Sequence, residues 1–251
     1  MILYGLKLWT SNTSEIFQEA LRLYKDKRID FIEIKNNPAE ALDFERLSIV
    51  KGIPVTVHNV DSHGWHEFNL GPPQFALWQE TLRLANFFDS SVIVVHPGQA
   101  RDFEHFKENL NKIDDPRIIL ENMAGLDIYG NNVYARTLEG LSEIQPLKPI
   151  CFDFEKAVKS ACFQSIEYKQ FISDCVKELK PIYFHISGGD KNSPMDEHKN
   201  LYDANFDISW IANFLNTYSE KMPVKLVFET PKSDGLHNDI ENIEFFKKCI
   251  E

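Results

Sequence analysis

The sequence predicts an α/β fold: a single (β/α)8 TIM barrel spanning residues 1–251. Three observations carry this expectation. Eight short, apolar, β-branched segments recur along the chain, segments of helical period lie between them, and a length of 251 residues suits one barrel. No low-complexity linker divides the chain, and no internal repeat is visible. An open doubly wound sheet is the alternative that the same alternation allows.

Strands are expected near residues 2–9, 30–34, 54–59, 92–96, 117–122, 149–153, 181–186 and 224–229. Their apolar runs are short and nearly continuous, as expected when both faces of a parallel sheet are covered. Between them, "SEIFQEALRLYKD", "QFALWQETLRLANFF" and "EYKQFISDCVKELK" have helical period. In the second of these, Phe75, Leu77, Trp78, Leu82, Leu84 and Ala85 make one broad apolar face. "SGGDKNSPMDEHKN", residues 187–200, is the longest turn-rich stretch and follows the seventh strand, on the side where active-site loops lie.

Composition narrows the function classes. An apolar content of 43% is ordinary for a globular protein with a sizeable core. Cys151, Cys162, Cys175 and Cys249 are scattered and form no CxxC pair, so a reduced, cytoplasmic setting is expected. "MILYGLKLWTSN" does not read as a signal peptide, and no stretch has the length of a membrane span. The net charge of −11 argues against broad electrostatic capture of DNA. It leaves room for a local positive site, since bound metal ions dominate the field around them.

The functional signal sits at the strand ends. From the third strand onward the tips read His58 ("PVTVHN"), His96 ("VIVVHP"), Glu121 ("IILENMAG"), Asp153 ("ICFDFE"), His185 ("IYFHIS") and Glu229 ("LVFETP"). In a barrel these tips converge on one axial pocket at the catalytic face. A lone histidine there usually makes a hydrogen bond, and a lone acid usually caps the next helix. Six successive tips of this kind instead make a ligand set suited to Zn²⁺, Mn²⁺ or Fe²⁺. Six ligands exceed what one four-coordinate ion needs, so a two-metal site is expected.

Other polar residues read more weakly. His63, Trp65 and His66 in "DSHGWHEF" are expected at a loop surface or on the pocket wall. His105 is expected on a solvated helix face, and His237 at a helix start. Gly188 and Gly189 have the composition of an anion-binding turn.

The tip motifs resemble the xylose-isomerase-like TIM-barrel superfamily and, within it, the endonuclease IV (AP endonuclease family 2) branch. The resemblance rests on "VHNV", "FNLG", "VVHPG", "LENMAG", "CFDFEKA", "FHISGGDK", "DEH" and "FETP", in that order through most of the chain. It implies a metal-dependent hydrolase that cleaves the phosphodiester beside abasic sites in DNA with three zinc ions. Carried over by motif, His58, His96 and Glu121 would hold one ion, and Glu121 would bridge to a second held by Asp153, His185 and Glu229. A third ion would take Asp196 and His198 of "MDEHK" together with a histidine three residues after Asp153. That position is Lys156 here. A protonated lysine is no ligand, so one to two ions of Zn or Mn are expected, with the Lys156 ammonium in the third cation's place beside Asp196.

Two enzymatic readings follow. In the first, a metal-activated water cleaves a phosphoester. Glu121 bridges, Glu229 accepts a proton, and Lys156, Lys191 and His198 contact the phosphoryl or leaving oxygens. In the second, the protein is a sugar or sugar-phosphate isomerase or epimerase: one ion is held by Glu121, Asp153, His185 and Glu229, and the two glutamates form the proton-transfer pair. His58 and His96 then bind substrate hydroxyls. The partner is a phosphoester or sugar-phosphate substrate in either case. DNA is admitted by the resemblance and disfavoured by net charge, and no membrane is involved.

Overall fold

The computed structural model describes residues 1–60, 72–98, 100, 102–127 and 129–250, with the side chains of 72–74 excepted. Its core is a closed, all-parallel barrel in which each strand pairs with the next and the eighth returns to the first. The strands are β1 (Ile2–Trp9), β2 (Phe31–Lys35), β3 (Val55–His58), β4 (Ile93–Val95), β5 (Ile118–Glu121), β6 (Ile150–Asp153), β7 (Tyr183–Ile186) and β8 (Val224–Phe228). The helices are α1 (Ser14–Lys25), α2 (Phe44–Leu47), α3 (Pro72–Phe87), α4 (Phe103–Lys112), α5 (Leu138–Ile144), α6 (Phe154–Gln164), α7 (Tyr168–Leu179), α8 (Ile208–Ser219) and α9 (His237–Lys248). No helix among the described residues is long and apolar enough to cross a membrane.

The period of two along each strand sorts its residues between two cores. Outward-facing residues such as Leu6, Ile34, Val57, Leu120, Phe152, Phe184 and Phe228 join the large cluster under the helices. Inward-facing Phe31, Val94, Ile119, Cys151, Tyr183 and Val227 form a separate apolar plug, with Leu3 and Val92 packed against it. Gly5 makes room for that plug, because a Cβ there would lie 2.5 Å from the Phe31 ring. Continuing each inward row toward the C-terminal end places Lys7, Glu33, His58, Glu121, Asp153 and His185 above the plug, all buried. A packed floor thus carries a polar, water-poor site at the strand tips.

Local signals explain the entry to the helices on this face. The Asp102, Thr137 and Asp207 side chains cap α4, α5 and α8 by accepting backbone N–H groups. Helix α6 starts immediately after β6, with Asp153 as its N-cap, so the strand's last residue is also the helix's first anchor. The strands end one residue short of the sequence expectation at His96, Asn122 and Glu229, and these residues stand at the start of the loops.

The loop after β7 is stapled rather than open. Gly188 and Lys199 exchange two backbone hydrogen bonds of 2.8 Å, and Leu126 N donates to Pro194 O at 3.1 Å. The glycine pair is therefore no anion-binding turn. The Gly188 N–H is already used, and a Cβ on Gly189 would meet Glu155 Oε1 at 2.5 Å. Gly189 permits close packing of the loop on α6, and Gly188 permits close approach of the Asn200 backbone.

Candidate metal centre

Glu121 is the hub. Its carboxylate is fully buried and divides its two oxygens between two groups of donors. Oε2 faces His96 Nε2 at 2.6 Å and His58 Nε2 at 3.2 Å. Oε1 faces His185 Nδ1 at 2.9 Å and Lys156 Nζ at 2.7 Å. Burial alone would raise its pKa, but Lys156, His185 and His96 overcome that and hold the group well below the usual carboxylate range.

His58 and His96 stand edge to face, with ring centroids 4.9 Å apart. His58 Nδ1 lies 2.6 Å from the carbonyl of Asn59, which can only accept, so Nδ1 carries the proton. Burial, then Lys7 and Lys35, push the ring's pKa down to about 3 and keep it neutral. Its Nε2 lone pair then points at the Glu121 oxygen. Two acceptors facing each other across 3.2 Å is an arrangement that a cation between or beside them relieves.

Asp153 serves twice. One oxygen accepts the Lys156 backbone N–H at 2.9 Å as the helix cap, and the other, Oδ2, is buried with no hydrogen-bond partner among the described residues. Burial pushes its pKa up to about 6; Lys156 opposes the rise, while Glu121, Glu229 and Asp196 add to it. Asn122, next to Glu121, braces the position. Its side chain donates to Asp153 O at 3.0 Å and accepts from Asp153 N at 2.6 Å. Glu229 likewise has one oxygen held by Lys7 and one, Oε2, without a hydrogen-bond partner among the described residues.

One ligand atom each from Glu121, Asp153, His185 and Glu229 fall within 4.8 Å of one another, and so do atoms from His58, His96 and Glu121. These donors, with the Asp153 and Glu229 oxygens that accept no hydrogen bond among the described residues, have the chemistry to hold divalent metal cations. Cys151 lies beside Glu121 and His185, and burial pushes its thiol up to about 12, so with no cation at hand it stays protonated.

Asp196 and His198 stand at the edge of this centre. His198 Nε2 is 3.1 Å from Asp196 Oδ2, and its Nδ1 is 3.4 Å from Glu229 Oε2. The His198 side chain is 42% exposed, which makes it the solvent-facing member. Lys156 Nζ lies 3.9 Å from both Asp196 Oδ2 and Asp153 Oδ2, and 3.3 Å from His96 Nε2. Burial opposes its charge, and Glu121, Asp196, Asp153 and Glu229 together raise its pKa well above the ordinary lysine value.

Some expected residues lie elsewhere. Lys191 is exposed; its backbone N–H donates to Asn205 Oδ1 at 2.6 Å. His237 opens α9 and faces Glu241 at 3.2 Å. His105 is half-buried on α4 and lies 3.1 Å from Asn109. His63, Trp65 and His66 fall outside the described residues. The tip pattern misses Lys7 and Glu33, which belong to β1 and β2. Their signal is parity: "GLKLW" and "FIEIK" place a charge at the inward position of an otherwise apolar strand.

No family profile and no curated protein matches this chain. Solved structures do share its fold. A candidate xylose isomerase from Rhodospirillum rubrum aligns over 99% of both chains with a TM-score of 0.72 at 10% identity. A 3-keto-D-glucoside 4-epimerase from E. coli covers 99% of this chain and 100% of its own, with a TM-score of 0.65 at 14% identity. The protein AsfvAP aligns over 99% of both chains, also at 0.65 and 14%. These likenesses bear on the fold: the chain shares the (β/α)8 TIM barrel of these proteins.

Proposed function

We propose that this protein is a divalent-metal-dependent phosphoester hydrolase of the endonuclease IV type, built for two ions. The observation that supports it most is the division of Glu121. One oxygen faces the His58–His96 pair, and the other faces His185, which groups with Asp153 and Glu229. A carboxylate placed this way has the geometry of a bridging ligand. Ions held there would supply a water acidic enough to be deprotonated near neutral pH, and positive charge for the attacking and leaving oxygens.

The chain's own residues would do the rest. Glu229 Oε2 is buried and without a hydrogen-bond partner among the described residues, so it is available to ligate or to take a proton from an attacking water. Lys156 contributes a fixed positive charge 2.7 Å from Glu121 and 3.9 Å from Asp196, one of the residues to which the resemblance assigns a third cation. His198 faces solvent next to Asp196, the position from which a leaving oxygen would be protonated. The packed plug beneath keeps bulk water from the buried donors, which strengthens every charge interaction among them.

The isomerase or epimerase reading has one observation in its favour. The group of Glu121, Asp153, His185 and Glu229 is complete without either His58 or His96. Metal analysis after purification without chelator, with turnover of an abasic-site oligonucleotide, a simple phosphodiester and a ketose panel, separates the two. Two ions with phosphoester cleavage support the hydrolase. One ion with ketose turnover overturns it.

A further inference from the structure

Beneath the donor group lies a buried carboxylate that neither reading uses. Glu33, on β2, faces the barrel axis and is fully buried. Its Oε2 accepts from the Tyr183 hydroxyl at 2.7 Å and lies 3.1 Å from His185 Nε2. Tyr183 in turn lies 2.6 Å from Thr56 Oγ1, so its own proton is directed to Glu33. Lys7 Nζ pairs with Glu33 Oε1 across 3.7 Å and bonds Glu229, while Glu33 Oε1 accepts no hydrogen bond among the described residues. Glu33 on β2 is thus met by groups from β1 and β7.

What it fixes in turn is the His185 ring. His185 Nδ1 faces the donor group, 2.9 Å from Glu121 Oε1 and 2.8 Å from Glu229 Oε1. The opposite nitrogen faces Glu33, and an ionised carboxylate only accepts. A neutral ring with its proton on Nε2 therefore satisfies Glu33 and turns the Nδ1 lone pair to the ion. The other tautomer would set Nε2 against Glu33 as two opposed acceptors and place a proton where the ion belongs.

We propose that Glu33 is a positioning residue for metal binding, holding His185 as an Nδ1 ligand by accepting the proton on its Nε2. The inference rests on the metal centre of the reading above but not on which reaction that centre performs. Its chemistry is that of a carboxylate behind a ligating histidine, where losing the outer partner typically lowers metal affinity about 10–100-fold.

The test uses the full chain loaded with zinc for nitrogen-15 NMR of His185, and cobalt(II) titration followed by absorption for affinity. In the wild type, the His185 proton is expected on Nε2. Glu33→Met should weaken cobalt binding by about 10–100-fold and change the ligand-field spectrum, whereas Glu33→Gln, whose amide oxygen still accepts, should recover most of the loss. A zinc-loaded wild type with the proton on Nδ1 overturns the proposal, as does Glu33→Met binding cobalt with unchanged affinity and spectrum. If Glu33→Met does not fold, the wild-type tautomer decides alone. A wild type that binds no metal overturns both this proposal and the metal centre. Metal bound with the stated tautomer but no phosphoester cleavage overturns the hydrolase reading only.

Discussion

Lys156 Nζ stands 2.7 Å from Glu121 Oε1 and 3.9 Å from Asp196 Oδ2, inside the candidate metal centre and not beside it. It reaches there because Asp153 caps α6 through the Lys156 backbone, which points the first turn of that helix at the strand tips. A buried ammonium between carboxylates does part of the work of a bound cation. It neutralises charge, yet it cannot polarise a water as a metal does.

Replacing that ammonium by a ligand should therefore open a metal site. Lys156→His is expected to bring a third donor to Asp196 and His198 and to raise zinc content by about one ion per chain, since His, Asp and His are suitable zinc ligands. Zinc content by mass spectrometry, on variant and wild type loaded in parallel, gives the answer. An unchanged content would show that this edge of the centre is closed to metal.

The strand-tip part of this centre was legible in the sequence because barrel topology turns a linear rule into a spatial one. A polar residue closing an apolar strand must arrive at the same rim as its neighbours. Glu121, Asp153 and His185 needed nothing more. Two things were hidden. Lys7 and Glu33 precede the stretch where the tips form a pattern, and only the inward parity of β1 and β2 marks them. The division of Glu121 between two donor groups was hidden too, because sequence order fixes which strand carries a residue but not which oxygen faces which ring. The use of Gly188 and Gly189 is hidden for a related reason: it is set by the Asn200 backbone against the first and by Glu155 and Lys159 against the second, which no local pattern encodes.

Away from the centre, Asp239 gives a pH test. Its side chain is buried, and burial pushes its pKa up to about 6 against the opposing pull of Lys232 and Thr230. In the unfolded chain the group titrates near ~3.9. The folded state thus holds the extra proton between about pH 4 and pH 6, and stability from this group falls as pH rises through that window. Asp239→Asn should remove the effect. Urea unfolding at pH 4.5 and pH 7 should show the variant gaining on wild type by roughly 2 kcal/mol over that interval. A difference that does not change with pH would contradict the assignment.

Metal should stabilise the fold, and Glu121 should control how much. At a free zinc concentration near a hundred times Kd, one bound ion contributes about 2.7 kcal/mol. For a chain of this length that is a rise in Tm of roughly 5–10 °C. Glu121→Gln is expected to abolish most of the zinc-induced rise, because it removes the shared ligand. Asp153→Asn should lower it by about half, since it touches the four-donor group alone. The quantity compared is the rise on adding zinc, so a lower starting Tm in either variant leaves the test intact. An unreduced rise in Glu121→Gln would place the stabilising ion elsewhere.

The sharpest separation of the two reactions comes from His58 and His96. Both rings face Glu121 Oε2, whereas His185 of the four-donor group faces Oε1. In a two-ion hydrolase, changing either ring to Ala should remove one ion and most phosphoester cleavage, a loss of about 100-fold or more in kcat/KM, because nucleophile activation goes with the ion. In a one-ion isomerase the same changes should leave the metal in place and act mainly on KM, since only a contact to a substrate hydroxyl disappears. Metal content and turnover are measured for each variant on the abasic-site oligonucleotide, the simple phosphodiester and the ketose panel. Joint loss of one ion and of phosphoester cleavage is the expected result. Full metal content, together with ketose turnover that falls only through KM, would assign the site to isomerisation and reduce His58 and His96 to substrate contacts.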